Sequence, residues 1–507
     1  MKFTLGNRAA MADTPSEVMN WRLYWSTFVF GASRGLDEGL VGGMVTLKSF
    51  QEEFGLDHGS EEHQAQVESN ITSMVQIGSI AGSLLAFFLC DKIGRVRSLQ
   101  FLCLLWLVGF IIVVTSHGSV GQVLAGRFIA GLGIGMTVVV GPTYLAETAP
   151  RAVRGMLTNI FAGSVYLGVM VALLLILSFT VPETPRWLTM KGRNEESTKA
   201  LCKLRQLPED HPFVQAELYG IREQLEREQE AILGVSRWGK IRELLTIPAN
   251  RYRFMLGFMA QLLGQWSGAS AITIYAAEFF GVLGKSGQSE KLFATCILGV
   301  VKLVSAYACA FFLVDFIGRR RSLYAGITLQ TISVLYIAIF LAIVGTKTLE
   351  DGTLTSTQKH AGVGAIAMLY ISGVGWTMGW NSFQYLVNAE IWPLRLRALG
   401  SSITMCLHFA NQYGNTKAVP LMLLHMTSSG FFFFCAAVCI LGLIWVWAFV
   451  PEMAGRSLES TDELFSLPWY KIGRYGNKLA PDNEAILARD EKAEMKREVE
   501  VSQLEQA

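Results

Sequence analysis

Long apolar blocks alternate with short polar stretches along the chain. The blocks predict helices over roughly 22–45, 70–90, 98–116, 120–145, 156–181, 253–283, 291–314, 322–345, 361–389, 399–424 and 428–450. A block of ~20 residues, at ~1.5 Å rise per residue, is long enough to cross a hydrocarbon core. The pattern therefore predicts an all-α polytopic membrane protein with about eleven spans. Between 182 and 252 it changes to short amphipathic stretches rich in Lys and Arg, which the positive-inside rule places in the cytoplasm. The segment after the first block instead carries Glu52, Glu53, Asp57, Glu61, Glu62 and Glu68, as suits an outside loop. Residues 460–507 form a charged tail with helical character near 483–504.

Composition agrees with that pattern. The 507 residues are 51% hydrophobic and 17% charged, below the ~25% charged share of soluble domains. Lys and Arg (43) nearly balance Asp and Glu (41), which gives no case for a nucleic-acid partner. Residues 1–20 have no apolar h-region, so no cleavable signal peptide is expected. The eight cysteines have no metal-ligand spacing, and the seven other than Cys202, in or at the ends of apolar segments, read as small buried hydrophobes. There is no Walker loop and no nucleophile–base pairing, so no enzyme activity, metal or cofactor is expected.

The chain also repeats itself. FFLCDKIGRVRSL (87–99) and FFLVDFIGRRRSL (311–323) agree at ten of thirteen positions. An E-x-x-P-x-x-x-R pattern occurs at Glu147–Arg154 and again at Glu390–Arg397, and Pro-Glu closes a span at 182–183 and at 451–452. Three ordered pairs imply two homologous helical halves, the parallel-repeat plan of some secondary transporters. The halves differ in length. Arg397 to Pro451 spans 54 residues and holds two helices, whereas Arg154 to Pro182 spans 182 − 154 = 28 residues. A span takes ~20 residues, so this segment crosses once. About one helix is missing from the first half, with the junction near Met170–Val171. A single crossing would carry the basic loop that follows to the wrong side.

These motifs resemble the sugar porter branch of the major facilitator superfamily, in its fungal form. D-x-x-G-R occurs at Asp91/Gly94/Arg95 and Asp315/Gly318/Arg319, GRFIAGLGIG at 126–135, P-x-Y-x-x-E-x-A-P-x-x-x-R-G at 142–155, PETPRWL at 182–188 and PEMAGRSLE at 451–459. The resemblance covers about 22–460 and implies a fold of two helical bundles. Members have twelve helices, so the family pattern also makes this chain one short. The expected organisation is a cytoplasmic N-terminus (1–21) and an N-terminal bundle of five helices with spans five and six fused (22–181). A cytoplasmic linker (182–252), a six-helix C-terminal bundle (253–450) and a cytoplasmic tail (451–507) follow.

Within this frame, Asp37 in GLDEGLVGG (35–43) matches the family aspartate that pairs, in proton-coupled members, with the span-four arginine, here Arg127. Burial drives a carboxylate toward its neutral form while a guanidinium holds it ionised, so a proton can break the pair. A static buried ion pair is the alternative. The loop and span-end charges, Asp91, Gly94, Arg95, Glu147, Arg154, Glu183, Arg186, Asp315, Gly318, Arg319, Glu390 and Arg397, are expected to form a cytoplasmic gate network across the halves, as the resemblance implies.

Three later spans carry polar stripes on single helix faces. Span seven has Gln261, Gln265 and Gly268, span ten has Thr377, Asn381, Gln384 and Asn388, and span eleven has His408, Asn411 and Asn415. Amides suit hydroxyl-rich solutes without burying a charge, and Trp380 and Trp266 offer faces on which sugars stack. Interhelical glue is the alternative. The family pattern adds Ser270, which stands for the usual Asn, and the retained Tyr275, while Gly264 and Ala162 replace glutamines. Lys302, set toward the outer part of span eight, is expected to snorkel, with an anionic-substrate contact as the alternative. Together these imply a plasma-membrane, monomeric, proton-coupled importer of a hexose, polyol or quinate by alternating access, with both termini cytoplasmic. The alternatives are a nutrient sensor of the same fold and an inactive deletion or splice variant.

Overall fold

The computed structural model describes residues 20–32, 48–55, 61–149, 154–164, 181–232, 237–283, 287–310, 318–345, 355–381, 383–385, 391–393, 396–452 and 464–475. The first half contains α1 (Trp21–Ala32), α2 (Lys48–Glu53), α3 (Glu61–Ile93), α4 (Arg95–Val114), α5 (Val120–Thr148) and α6 (Arg154–Ser164). Four helices follow in the linker region: α7 (Pro185–Met190), α8 (Asn194–Arg205), α9 (Pro212–Ile232) and α10 (Arg237–Thr246). The second half contains α11 (Pro248–Trp266), α12 (Ala269–Ile274), α13 (Ala276–Val282), α14 (Gln288–Ala308), α15 (Arg319–Val344) and α16 (Ser356–Trp376). A π-helical turn (Thr377–Asn381), α17 (Arg397–His425), α18 (Ser428–Phe449) and α19 (Trp469–Tyr475) complete it.

Seven of the described helices are long and apolar enough to cross a membrane, by length and composition alone. Of the four expected spans outside that set, those at 22–45 and 156–181 run into residues outside the described ones, and the other two differ for visible reasons. Span seven is broken at Ser267–Gly268 and again at Tyr275, where α11, α12 and α13 meet. α17 has the length but carries the His408, Asn411 and Asn415 stripe.

α3 and α5 show why small residues sit where they do. A Cβ added to Gly78, Gly82, Gly131 or Gly135 would collide with backbone of the facing helix. That closeness lets Ser79 Oγ donate to Gly131 O and Ser83 Oγ to Gly135 O, each at 3.1 Å. Without water, such packing is what holds membrane helices together. The halves meet where α3 packs on α17 and α6 on α14. Cys406 Sγ reaches Ile80 O, Ser164 Oγ lies 3.1 Å from Tyr307 Oη, and Phe161 meets Tyr385 edge to face.

The segment expected to cross once, between Arg154 and Pro182, is described only at its flanks. Asn20 Nδ2 donates to Leu204 O at 2.6 Å, so α1 starts at the end of the molecule that carries the linker helices. A Cβ on Gly31 would meet Phe161 and Ser164, so α6 runs beside α1 away from that end. Tyr144 Oη donates to Pro182 O at 3.1 Å, one turn before α5 ends at Thr148, and Arg205 Nη2 donates to Thr148 O at 2.9 Å. The start of α6 and Pro182 therefore lie at the same end of the molecule. Residues 165–180, with the expected junction, lie outside the described residues, as do Asp37, Asp315, Glu390, Asn388 and the 483–504 tail.

Candidate functional site

Two loops at the linker-bearing end have the same construction. Gly94 (φ 100°) and Gly318 (φ 94°) precede α4 and α15, in a conformation that L side chains rarely adopt. The first N–H groups of those helices have no intrahelical acceptor. Glu183 supplies one, its Oε1 and Oε2 accepting from Arg95 N and Val96 N at 2.9 and 3.0 Å. Glu452 repeats this with Arg319 N and Arg320 N at 3.0 and 3.2 Å. A carboxylate there also meets the positive end of the helix dipole. The glycines leave the room: a Cβ on Gly94 would stand 2.6 Å from Glu183 Oε2, and one on Gly318 2.8 Å from Glu452 Oε2. Burial pushes the Glu183 carboxyl above the usual glutamate range, against the opposing pull of its N–H donors and of Arg95.

The Arg95 guanidinium points back into the first half. Nη2 lies 2.6 Å from Glu147 Oε1 and 3.1 Å from Asp91 Oδ1, and Nη1 donates to Cys90 O. Trp187 Nε1 donates to Asp91 O at 3.2 Å, tying PETPRWL to the same loop. These contacts each lie within one half. The side chains of Arg154 and Arg397 are outside the described set. Arg127 is buried in α5 and donates from Nη2 to Thr72 O at 3.3 Å.

In the second half the α11 and α17 stripes face each other. His408 Nδ1 lies 2.8 Å from Gln261 Oε1 and 3.1 Å from Gln265 Nε2. One ring nitrogen can donate to the first or accept from the second, so the tautomer decides which bond forms. Asn415 Nδ2 donates to Gln265 O at 2.9 Å, and Trp266 Nε1 to Asn411 Oδ1 at 3.4 Å. Gln265 Oε1 and Asn415 Oδ1 are buried with no hydrogen-bond partner. Tyr275 Oη donates to Thr416 O at 2.9 Å, and Ser270 is buried one turn earlier on α12.

Span ten divides its residues between two surroundings. Trp380 lies in the second-half core, stacked on Trp445 with ring centroids 6.3 Å apart and fitted against Gly264 and Gly442. Its ring is 1% exposed. Asn381 and Gln384 are buried, and Asn381 Nδ2 has no hydrogen-bond partner. Lys302 does not snorkel: its side chain is buried and its Nζ donates to Thr273 Oγ1. One polar residue escaped the sequence reading. Gln330 in α15 donates to both Ser267 O and Ser267 Oγ at 3.1 Å, holding the broken helix at its first break. Its signal was a lone amide inside a 26-residue apolar helix.

A family model described as "Sugar (and other) transporter" matches residues 25–175 and 166–465. The two matches share 166–175, around the junction expected at Met170–Val171. The probable quinate permease of Aspergillus flavus is 30% identical over 508 residues, covering 93% of this chain and 94% of that protein. The quinate permease of Neurospora africana is 31% identical over 508 residues, covering 92% and 93%. Among solved structures, the proton:xylose symporter XylE bound to 6-bromo-6-deoxy-D-glucose superposes with a TM-score of 0.73 at 20% identity, covering 88% of this chain and 98% of that one. The partially occluded inward-open form of XylE from E. coli gives 0.68 at 20% identity, covering 87% and 100%. The fold is that of the major facilitator superfamily.

Proposed function

The chain belongs to the sugar (and other) transporter family, and from that premise we propose that it imports a sugar-like solute together with protons by alternating access. It is a multi-pass membrane protein and not an enzyme. The observation that carries the proposal is the buried set of Gln261, Gln265, His408 and Asn415, with half-buried Asn411 beside them, where α11 faces α17. Polar groups at membrane depth are costly and mark substrate pathways. Gln265 Oε1 and Asn415 Oδ1 lack partners in this conformation and would accept hydroxyl protons of a polyol. Ser270, Tyr275, Asn381 and Gln384 extend that lining in the proposal, whereas Trp380 supports it from the core.

Asp37 and Arg127 form the coupling pair in this scheme, which the burial of Arg127 supports. A proton reaching Asp37 breaks the pair and frees the first and fourth spans to move. The Glu183–Arg95–Glu147 and Glu452–Arg319 clusters act as the cytoplasmic gate, and the protein works as a plasma-membrane monomer with cytoplasmic termini. The relatives named as quinate permeases favour a ring polyol or hydroxy acid. A second reading, an inactive deletion product of such a transporter, draws on the shared 166–175 match. Uptake of labelled glucose, inositol and quinate by transporter-null yeast, with and without a protonophore, tests both. Accumulation abolished by the protonophore supports symport. Accumulation that ignores it removes the proton coupling, and no uptake of any solute by a correctly targeted chain supports the inactive variant.

A further inference from the structure

Cys406 of α17 meets Ile80 of α3, and further along the same pair of helices Lys417 Nζ donates to Asn70 Oδ1. α17 thus runs antiparallel to α3, and the second contact lies away from the Gly94 loop that follows α3. Beside Lys417, Thr416 O accepts from Tyr275 Oη at 2.9 Å, at the junction of α12 and α13. Thr72, two residues past Asn70, is buried at this seam between the halves. Its carbonyl accepts from Arg127 Nη2 at 3.3 Å. Its hydroxyl lies within side-chain hydrogen-bonding reach of Tyr275 Oη. Tyr275 directs its one proton to Thr416 O, so toward Thr72 it can only accept. Thr72 also has one hydroxyl proton, which in this conformation goes back to Glu68 O, one turn earlier in α3. The Thr72 hydroxyl can thus close on its own helix or on the other half, but not on both at once.

We propose that Thr72 is a positioning residue for coupling, tying the state of Arg127 to closure of the seam at Tyr275. This rests on the coupling role given above to Asp37 and Arg127, and adds the route by which that pair reaches the second half. A guanidinium that loses its carboxylate relies more on its other acceptors, and its charge makes those bonds strong. Protonation of Asp37 then draws Arg127 onto Thr72 O, turns the Thr72 hydroxyl from Glu68 O to Tyr275 Oη and closes the seam. Tyr275 stands at a break between two short helices, so α13 can follow without displacing α11. Other charged groups face this contact. Glu68 on α3, Glu278 on α13 and Arg127 on α5 lie within electrostatic reach of the Tyr275 hydroxyl, and Lys291 on α14 within reach of Glu278. Lys417 on α17 borders it through Asn70.

The test is hydrogen exchange of the purified full-length chain in detergent, read at the α13 amides relative to their intrinsic rates. Measurements at about pH 5.5 and about pH 7.5 bracket the range into which burial brings a carboxylate. The wild type is expected to exchange roughly fivefold more slowly at the lower pH, the range for one hydrogen bond. Asp37→Asn, which imitates the protonated carboxyl, should exchange slowly at both. Thr72→Val should lose the difference between the two conditions, and Thr72→Ser, which keeps the hydroxyl, should retain it. A merely structural role for Thr72 would change both rates by one factor and preserve their ratio, which overturns the proposal. If Thr72→Val does not fold, Tyr275→Phe is expected to lose the difference, and a retained difference there overturns the proposal too. So does a wild type that shows none. A difference lost in Asp37→Asn but kept in Thr72→Val leaves the coupling pair standing and removes Thr72 alone. One that persists in Asp37→Asn arises from Glu68 or Glu278, and removes the coupling role of Asp37 together with the link through Thr72.

Discussion

Glu183 caps a helix that begins 88 residues earlier in the chain: its Oε1 accepts the Arg95 N–H at 2.9 Å. Removing the carboxylate strands two buried N–H donors, those of Arg95 and Val96. An unsatisfied buried donor costs about 1–3 kcal/mol. Glu183→Ala is therefore expected to lower the unfolding midpoint of the purified protein in detergent by several degrees, and Glu452→Ala to do the same in the second half. An unchanged midpoint in both would show that these caps do not hold the loops.

The same group sets a pH dependence. Burial raises the Glu183 pKa, so the packed loop binds a proton more tightly than an exposed glutamate would. Its contribution to stability is then fully present below the ordinary glutamate range and is lost as pH rises through the raised value. Acidifying from neutrality should firm up the α3–α4 loop, read as slower hydrogen exchange at the Arg95 and Val96 amides. Glu183→Gln, a neutral side chain that still accepts one N–H, should flatten that response and cost less stability than Glu183→Ala.

The repeated motifs made much of this end of the molecule legible. Two copies of D-x-x-G-R and two of Pro-Glu implied paired structures, and Glu183 and Glu452 occupy matching places. What the motifs could not convey was which atoms meet, because a cap by a carboxylate 88 residues away leaves no local pattern. The stripes on α11 and α17 were legible for a similar reason, since helical spacing puts Gln261, Gln265 and His408 on defined faces. Helical spacing does not say what a face looks at. Trp380 shares the span-ten stretch with Asn381 yet packs on Trp445, and Lys302 turns inward to Thr273 where its length would have allowed snorkelling. Gln330 has no periodic partner in α15, so no pattern singled it out.

Gln265 and Gln330 should separate binding from folding. Gln265 Oε1 is buried without a partner, so removing the amide relieves an unsatisfied group as well as losing a contact with His408. Gln265→Ala is expected to leave thermal stability within about 1 kcal/mol while raising the KM for uptake roughly tenfold, the loss of one or two hydrogen bonds to solute. Gln330→Leu instead removes both bonds to Ser267 at the helix break, leaving Ser267 O and Oγ without that donor. It should destabilise by about 1–3 kcal/mol with a smaller effect on KM. Equal effects of the two variants on both readouts would contradict this division of labour.

The sidedness of the linker can be decided independently. Pro182 and Glu183 meet Tyr144 and Arg95 at the end of the bundle where Arg205 meets Thr148, so loop 182–252 shares a side with the α3–α4 loop. The positive-inside rule assigns that side to the cytoplasm. A glycosylation acceptor inserted at the exposed Lys191–Gly192 turn should therefore stay unmodified in yeast. An acceptor inserted beside exposed Thr355, ahead of α16 and at the opposite end of the second half from Gly318, should be glycosylated. The reverse pattern, with a glycan at 191–192 and none at 355, would mean that the short Arg154–Pro182 segment crosses once after all and inverts everything beyond it.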